Sequence, residues 1–139
     1  MSLTPAEITA LVGRLYELTG TGQWAAAAEL LTDDFVITEA DHLPMACALH
    51  GKDALHQLYL KVFALADVVR LETIADCVGG DHCVRLLRLH FAGEGLEPVD
   101  IAEMFELRGA QVCRIKPYYY NPSAFLAAVA HKEGVVATV

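Results

Sequence analysis

Residues 99–107, Val-Asp-Ile-Ala-Glu-Met-Phe-Glu-Leu, alternate in the way that predicts a β-strand with one unusual side chain. Successive strand residues point to opposite faces of a sheet, and the odd-numbered members of this run are apolar except for Glu103. A carboxylate among apolar groups is costly as an anion and tends to stay protonated. Glu103 is therefore predicted to serve a pocket, unless it pairs with Arg85, Arg88 or Arg114 or lies at a solvated rim.

Three further segments around this strand have the same β character: Val68–Val78, Cys83–Phe91 and Val112–Tyr120. The short turn sequences GGD, GEG and RGA separate the four segments. Four strands joined by short turns predict an antiparallel meander.

The first part of the chain is helical in pattern. Thr4-Pro5-Ala6-Glu7 reads as a capping box that opens a first helix with an apolar stripe. Gln23–Leu31 predicts a second helix, and Lys52 to about Ala66 a third whose Tyr59 points inward. A short helix and a tail are expected after Asn121-Pro122. Helices followed by a meander predict an α+β domain, with the helices packed on one face of a curved sheet.

The stretch Thr32–Pro44, TDDFVITEADHLP, predicts one more strand ahead of the third helix. It places Glu39 on the same face as Phe35 and Ile37, so Glu39 repeats the problem posed by Glu103. If the helices cover this face, the two acids open into one cavity, where different surroundings would divide them into base and acid. Such a pair suits proton transfer next to a carbonyl group.

Two other features are candidates for the site. Tyr118 and Tyr120 share one face of the last strand and Tyr119 takes the other, which suits either the mouth of a cavity or simple packing. His42 is the histidine that stands beside an acidic cluster. The histidine and cysteine spacings match no metal site, and no nucleotide-binding motif occurs, so neither a metal nor a cofactor is expected.

Composition narrows the class of protein. A length of 139 residues with 55% hydrophobic content fits one domain, and a net charge of −8 argues against nucleic acid and anionic membranes as partners. No apolar segment approaches the roughly 20 residues needed to cross a bilayer, and a cytoplasmic location is expected. The four cysteines, of which Cys77, Cys83 and Cys113 lie in apolar segments, are predicted to be mostly buried free thiols.

Three phrases resemble the nuclear transport factor 2-like superfamily, particularly its ketosteroid isomerase and polyketide cyclase branches: LYELTGTGQWAAAAELLTDDFVI, HGKDALHQLY and AEMFELRGAQVCRI. The resemblance covers roughly Thr4 to Pro122 of a single domain that extends over residues 1–139. It implies a cone-shaped, cystatin-like fold, in which a curved and mostly antiparallel sheet wraps over the helices around a deep apolar pocket. It also implies a homodimer formed through the sheet.

The resemblance assigns roles to individual residues. The base of the isomerase branch matches Glu39, with Asp41 beside His42 as the fallback, and the oxyanion-binding acid matches Glu103. The first-helix tyrosine of the family aligns with Leu15, which leaves Tyr16 rotated from that position by about 100°. The pocket lining is predicted to include Leu15, Tyr16, Phe35, Ile37, Tyr59, Ile101, Phe105 and Tyr118.

These observations predict a small pocket protein that isomerises, cyclises or dehydrates a small apolar carbonyl compound. Glu39 would act as base and Glu103 as a neutral hydrogen-bond donor, without a cofactor. The alternatives are a module that binds an apolar ligand without chemistry, and a dimeric domain with a structural or assembly role.

Overall fold

The computed structural model describes residues 2–137, with side-chain detail for residues 2–134. Helices and strands alternate early in this range, and a long run of strands follows. The elements are α1 Pro5–Gly20, α2 Trp24–Glu29, β1 Leu31–Glu39, β2 Cys47–His50, α3 Ala54–Leu65, β3 Val68–Gly79, β4 His82–Phe91, β5 Val99–Arg108, β6 Gln111–Tyr119 and α4 Pro122–Ala137.

Helix α1 begins at the predicted capping box. The Thr4 backbone amide donates to Glu7 Oε1 at 2.9 Å, and the Glu7 amide donates to Thr4 Oγ1 at 3.2 Å. Two backbone donors that the helix itself leaves unpaired are thereby satisfied. The apolar stripe of α1 is buried against the sheet through Ile8, Val12 and Leu15.

The predicted meander forms one side of the sheet. Strands β3, β4, β5 and β6 pair antiparallel in sequence order, and the complete sheet has the order β2-β1-β6-β5-β4-β3. Strand β1 lies parallel to β6, which brings the first strand beside the last. The edge strand β2 lies between Pro44 and Lys52, where the sequence analysis predicted no strand. It has four residues, too few for their alternation to be recognised.

Irregular pairing accompanies the curvature of the sheet. The β3–β4 register shifts twice, between Val68 and Arg70 and between Thr73 and Ala75, and the β5–β6 register shifts after Glu106. Bulges of this kind bend a strand and increase its twist. The sheet therefore curves around the helices without closing, and the predicted α+β architecture is confirmed.

Helix α4 is longer than the short helix predicted, with 16 residues, and the predicted tail beyond residue 137 lies outside the described range. Its Lys132 Nζ donates to the Phe63 carbonyl at 2.8 Å and lies 3.0 Å from Asp67 Oδ1, so α4 caps the end of α3.

A second expectation was wrong: Cys77 is exposed. Each helix in residues 2–137 falls short of the length and hydrophobicity needed to cross a membrane.

The buried position of Leu15 leads to a first prediction. Because this side chain is 2% exposed and packs in the core, Leu15→Ala is expected to lower the free energy of unfolding by about 2–5 kcal/mol. Leu60 of α3 is 62% exposed, so Leu60→Ala is the matched control and should change the free energy of unfolding by less than about 0.5 kcal/mol. Urea unfolding of both variants measures the difference, and equal losses would show that Leu15 is not a core residue.

Candidate active site

A cavity of about 400 Å³ lies between the inner face of the sheet and helices α1 and α3. This volume is within the range of about 300–1,000 Å³ that is usual for small-molecule sites. Its walls are largely aliphatic and aromatic, as in Ile37, Leu58, Val62, Leu87, Leu89 and Ile101. An apolar molecule of modest size therefore has room to bind.

The cavity receives both acids that the sequence singled out, Glu39 from β1 and Glu103 from β5. Glu103 pairs in register with Pro117 of β6, and continuing the Ile37–Ile115 register by two residues brings Glu39 level with Pro117. Both carboxyl groups thus stand on one face, two strands or about 10 Å apart at the backbone. Glu39 is 5% exposed, whereas Glu103 is partly accessible and the surface it presents lines the cavity.

Tyr16 is the principal partner of Glu103. Its hydroxyl donates a hydrogen bond to Glu103 Oε2, and its ring packs edge-on against Phe105 with centroids 5.8 Å apart. Leu15, in contrast, is buried in the core and does not line the main cavity. The alignment of the family tyrosine with Leu15 implied that Tyr16 is rotated away from the site. That implication is wrong, because the Tyr16 hydroxyl reaches Glu103 from the neighbouring helical position.

A second tyrosine is fixed by a short chain of hydrogen bonds. The Thr19 hydroxyl donates to the Tyr16 carbonyl at 3.1 Å and lies 3.2 Å from the Tyr59 hydroxyl. Because the single Thr19 proton is used on the carbonyl, Tyr59 acts as donor to Thr19. Tyr59 lines the cavity as predicted, and Trp24 packs edge-on against its ring.

The arginines are bound elsewhere. Arg85 forms two hydrogen bonds to Asp76, at 2.8 and 3.0 Å, and Arg88 binds Asp100 on the opposite face of the sheet. Within the described residues, neither cavity acid forms a salt bridge. The structure therefore does not support the alternative in which the cavity acids pair with an arginine.

The two acids have different electrostatic surroundings. Burial raises the pKa of Glu39 to about 8, with a further contribution from the negative charge of Glu103, and no described group hydrogen-bonds to Glu39 Oε1. Burial also raises the pKa of Glu103, but the Tyr16 hydroxyl and Arg85 oppose the effect and leave it at about 7. The hydrogen bond from Tyr16 and the positive charge of Arg85 thus favour ionisation of Glu103 before that of Glu39. This order is opposite to the predicted roles, in which Glu103 was the neutral member.

The remaining predicted lining residues divide into two groups. Ile37 and Ile101 contact the cavity, as expected. Phe35 and Phe105 point to the same face but are buried in the core beneath it, at 0% and 1% exposure. Phe105 borders only a small void of about 10 Å³ beside Tyr16 and Glu103.

The predicted tyrosine of the last strand was the wrong one. Tyr118 is 52% exposed on the outer face, whereas Tyr119 lines the cavity. Tyr119 pairs in register with Ile101, which fixes it on the inner side. The alternation Ile115, Pro117, Tyr119 carries this signal, but Val112 breaks the parity because the β5–β6 register shifts in between.

Asp41 and His42 do not belong to the cavity. Both are exposed in the turn after β1, with 4.0 Å between His42 Nδ1 and Asp41 Oδ1. The strand ends at Glu39, and the chain then turns away from the sheet. The fallback base and its histidine are therefore excluded by position.

Arg85 is a residue of the site that sequence reasoning assigned only as a salt-bridge partner. It is 7% exposed and stands on the inner face of β4 between Cys83 and Leu87, both buried. A cation at an apolar position of an alternating strand was a visible signal, of the same kind that drew attention to Glu103.

A curved sheet wrapped over helices around an apolar cavity defines the nuclear transport factor 2-like class of proteins. The chain belongs to the SnoaL-like domain family, whose model matches residues 12–115. No relative with a curated description matches the sequence significantly.

Solved structures of other proteins share the fold. A nuclear transport factor 2-like protein from Burkholderia xenovorans has a TM-score of 0.73 at 16% identity, over 91% of this chain and 98% of its own. A protein from Mesorhizobium loti whose proposed identity is a SnoaL-like polyketide cyclase has a TM-score of 0.63 at 26% identity, over 84% and 100%. A de novo designed protein with a curved β-sheet has a TM-score of 0.70 at 15% identity, over 96% and 99%.

The raised pKa of Glu39 predicts a pH dependence of stability. Between about pH 4.5 and 8 the unfolded chain ionises this acid while the folded chain keeps it protonated, so stability falls as pH rises through that window. Glu39→Gln cannot titrate and is expected to gain stability relative to the wild type across it. Each unit of pKa difference corresponds to about 1.4 kcal/mol, so the gain amounts to a few kcal/mol.

Urea unfolding at a series of pH values measures this gain. The double variant Glu39→Gln/Glu103→Gln should flatten the pH dependence further, because the pKa of Glu103 is raised in the same direction. Parallel curves for wild type and Glu39→Gln would contradict the raised pKa of Glu39.

Proposed function

We propose that the protein is an acid–base catalyst that isomerises, cyclises or dehydrates a small apolar carbonyl compound. The observation that carries this proposal is the presence of two carboxyl groups in one apolar cavity with opposite surroundings. Glu103 receives a hydrogen bond and Glu39 Oε1 receives none from the described residues. One ionised and one protonated acid are the two groups that a proton transfer requires.

In this proposal Glu103 acts as base and Glu39 as acid. The Glu103 carboxylate accepts a proton from the carbon next to the substrate carbonyl, and the C–H electron pair moves into the new C=C bond of an enol. The Glu39 carboxyl group gives its proton to the carbonyl oxygen. Protonated Glu103 then gives its proton to another carbon of a conjugated enol to form an isomer, to a β-hydroxyl that leaves as water to form an alkene, or to the oxygen of a second carbonyl that the enol carbon attacks to close a ring. In each case the enol O–H proton returns to Glu39 as the C=O bond re-forms, which restores both acids.

The surroundings support this division of labour. Tyr16 binds one oxygen of Glu103 and so orients the carboxylate toward the cavity. The aliphatic walls exclude water, which strengthens the interaction of the acids with developing charge on the substrate. A likeness of 26% to the Mesorhizobium loti protein, for which polyketide cyclisation is proposed, is consistent with a carbonyl substrate.

Substitution of the acids tests the proposal. Glu39→Gln and Glu103→Gln keep the shape of the cavity but lose the proton-transfer groups, so each is expected to reduce turnover at least about 100-fold. The measurement is product formation from a panel of apolar β-diketones, β-hydroxyketones and enones, first ranked by ligand-observed NMR.

Asp41→Asn is the matched control, because it alters an acid in the turn just beyond β1, outside the cavity, and should leave turnover unchanged. A contrary result would be ligands that bind equally to the wild type and both Gln variants and are recovered unaltered from the wild type. This result would contradict catalysis and favour the alternative of a non-catalytic binding module.

We also propose that two copies pair through the outer face of the sheet. Ile74, Leu86 and Tyr118 are exposed there, at 52%, 39% and 52%, and border one groove together with Tyr120. Arg88 and Asp100, the charged residues that border this groove, are bound to each other. A mostly apolar, charge-balanced sheet face suits a second copy of itself.

Analytical ultracentrifugation tests this pairing. Leu86→Glu with Tyr118→Glu places charge in the groove and is expected to convert the dimer into a monomer. Leu60→Glu, on the exposed side of α3, is the control and should keep the dimer. A wild type that sediments as a monomer at all concentrations would rule the interface out.

A further inference from the structure

Arg85 is a buried cation that contacts Tyr16, the partner of Glu103. Its side chain extends from the inner face of β4 to α1, where a Cβ added at Gly13 would be in ordinary van der Waals contact with Arg85 Nη2, at 3.7 Å. A buried guanidinium is costly unless it is paired. Asp76 supplies the partner that Arg85 requires.

Arg85 makes contacts on two sides. Its Nε and Nη2 bind both oxygens of Asp76, and its Cζ lies 4.5 Å from the centre of the Tyr16 ring. In the strand register Arg85 stands directly opposite Glu103, with Asp76 opposite it on the other side. The guanidinium turns toward Asp76 and supports the tyrosine that binds Glu103.

A direct salt bridge would both supply positive charge near Glu103 and occupy its carboxylate oxygens, whereas this geometry supplies the charge alone. A bidentate pair between Arg85 and Glu103 would occupy both carboxylate oxygens and block access of a substrate. Held by Asp76, Arg85 supports the face of the Tyr16 ring and supplies positive charge near Glu103 without occupying its oxygens. Glu103 keeps an oxygen for a ligand.

We propose that Arg85, held in place by Asp76, is a positioning residue that keeps Tyr16 on Glu103 and places the negative charge of the acid pair on Glu103 instead of Glu39. The inference rests on the proposed function for its catalytic consequence. Its direct readout, the order in which the two acids ionise, is measured without turnover, so either idea can fail alone.

Five charged or titratable groups surround Glu103 on the other elements, while β3 contributes Asp76, which binds Arg85, and Arg70, which lines the cavity and lies 3.7 Å from Glu72. Tyr16 comes from α1, Tyr59 from α3, Glu39 from β1, Arg85 from β4 and Tyr119 from β6. Of these five groups only Arg85 is positive, and Glu39 and the tyrosines are neutral when protonated. Removal of Arg85 therefore removes the cation that favours ionised Glu103 over ionised Glu39.

The experiment is a titration of glutamate labelled with ¹³C at Cδ, with the two signals assigned through Glu39→Gln and Glu103→Gln. In the wild type Glu103 is expected to ionise near pH 7 and Glu39 near pH 8. Arg85→Met keeps the length and loses the charge, so the pKa of Glu103 should rise and the order of the two acids should reverse. Tyr16 ring signals should broaden as its support is lost.

Asp76→Asn is expected to shift the pKa of Glu103 in the direction opposite to Arg85→Met. It leaves the Arg85 charge uncompensated and free to approach Glu103, so the pKa of Glu103 should fall below that of the wild type. Arg85→Lys keeps the charge and should keep the wild-type order, even where Arg85→Met does not fold. A merely structural ion pair would shift Glu103 in the same direction in Arg85→Met and Asp76→Asn, or not at all, and either result would overturn the proposal.

Discussion

An apolar cavity can hold one negative charge far more readily than two, and the rest of this site follows from that limit. Glu39 and Glu103 face the same cavity, and each makes ionisation of the other harder. The hydrogen bond from Tyr16 favours Glu103, because it stabilises the charged form of this acid, whereas no donor among the described residues reaches Glu39 Oε1. That bond requires α1 to cross the sheet at the level of Glu103, which the buried stripe of α1 enforces. Packing of one helix thereby fixes the charge of one acid.

The sheet supplies the other half of the arrangement by placing the polar side chains in one row. Asp76, Arg85, Glu103 and Pro117 are successive partners across β3, β4, β5 and β6. Proline has no amide hydrogen, and the recorded pairing of β1 with β6 ends two residues before it, at Ile115. Glu39 of β1 is level with Pro117, so the row contains three acids and one cation, Arg85, which lies between Asp76 and Glu103. Strand register, which side-chain alternation largely determines, is thus what sets the electrostatics.

Much of this could be predicted from the sequence because alternation and capping are local. The odd-numbered face of β5 and the run from Phe35 to Glu39 identified both acids, and the Thr4 capping box located the start of α1. The pairing of β1 with β6 could not be predicted, since parallel neighbours distant in sequence leave no local signal. Tyr119 was missed because a register shift changes the parity of β6 after Val112. The role of Tyr16 was underrated because its position on the helix is rotated by about 100° from that of Leu15. The tyrosine side chain is long enough to reach Glu103 in spite of this rotation.

The cost of the two acids is itself an argument about their purpose. A carboxyl group whose pKa is raised on folding destabilises the folded chain at every pH where the unfolded chain ionises it, which here includes neutral pH. The same positions occupied by leucine or glutamine would fill the cavity without that penalty. Arg85 adds a second penalty, because a buried ion pair rarely stabilises a fold more than apolar packing would. Buried acids that weaken the fold and face one cavity are what the proposed function requires, whereas folding of the chain does not require them.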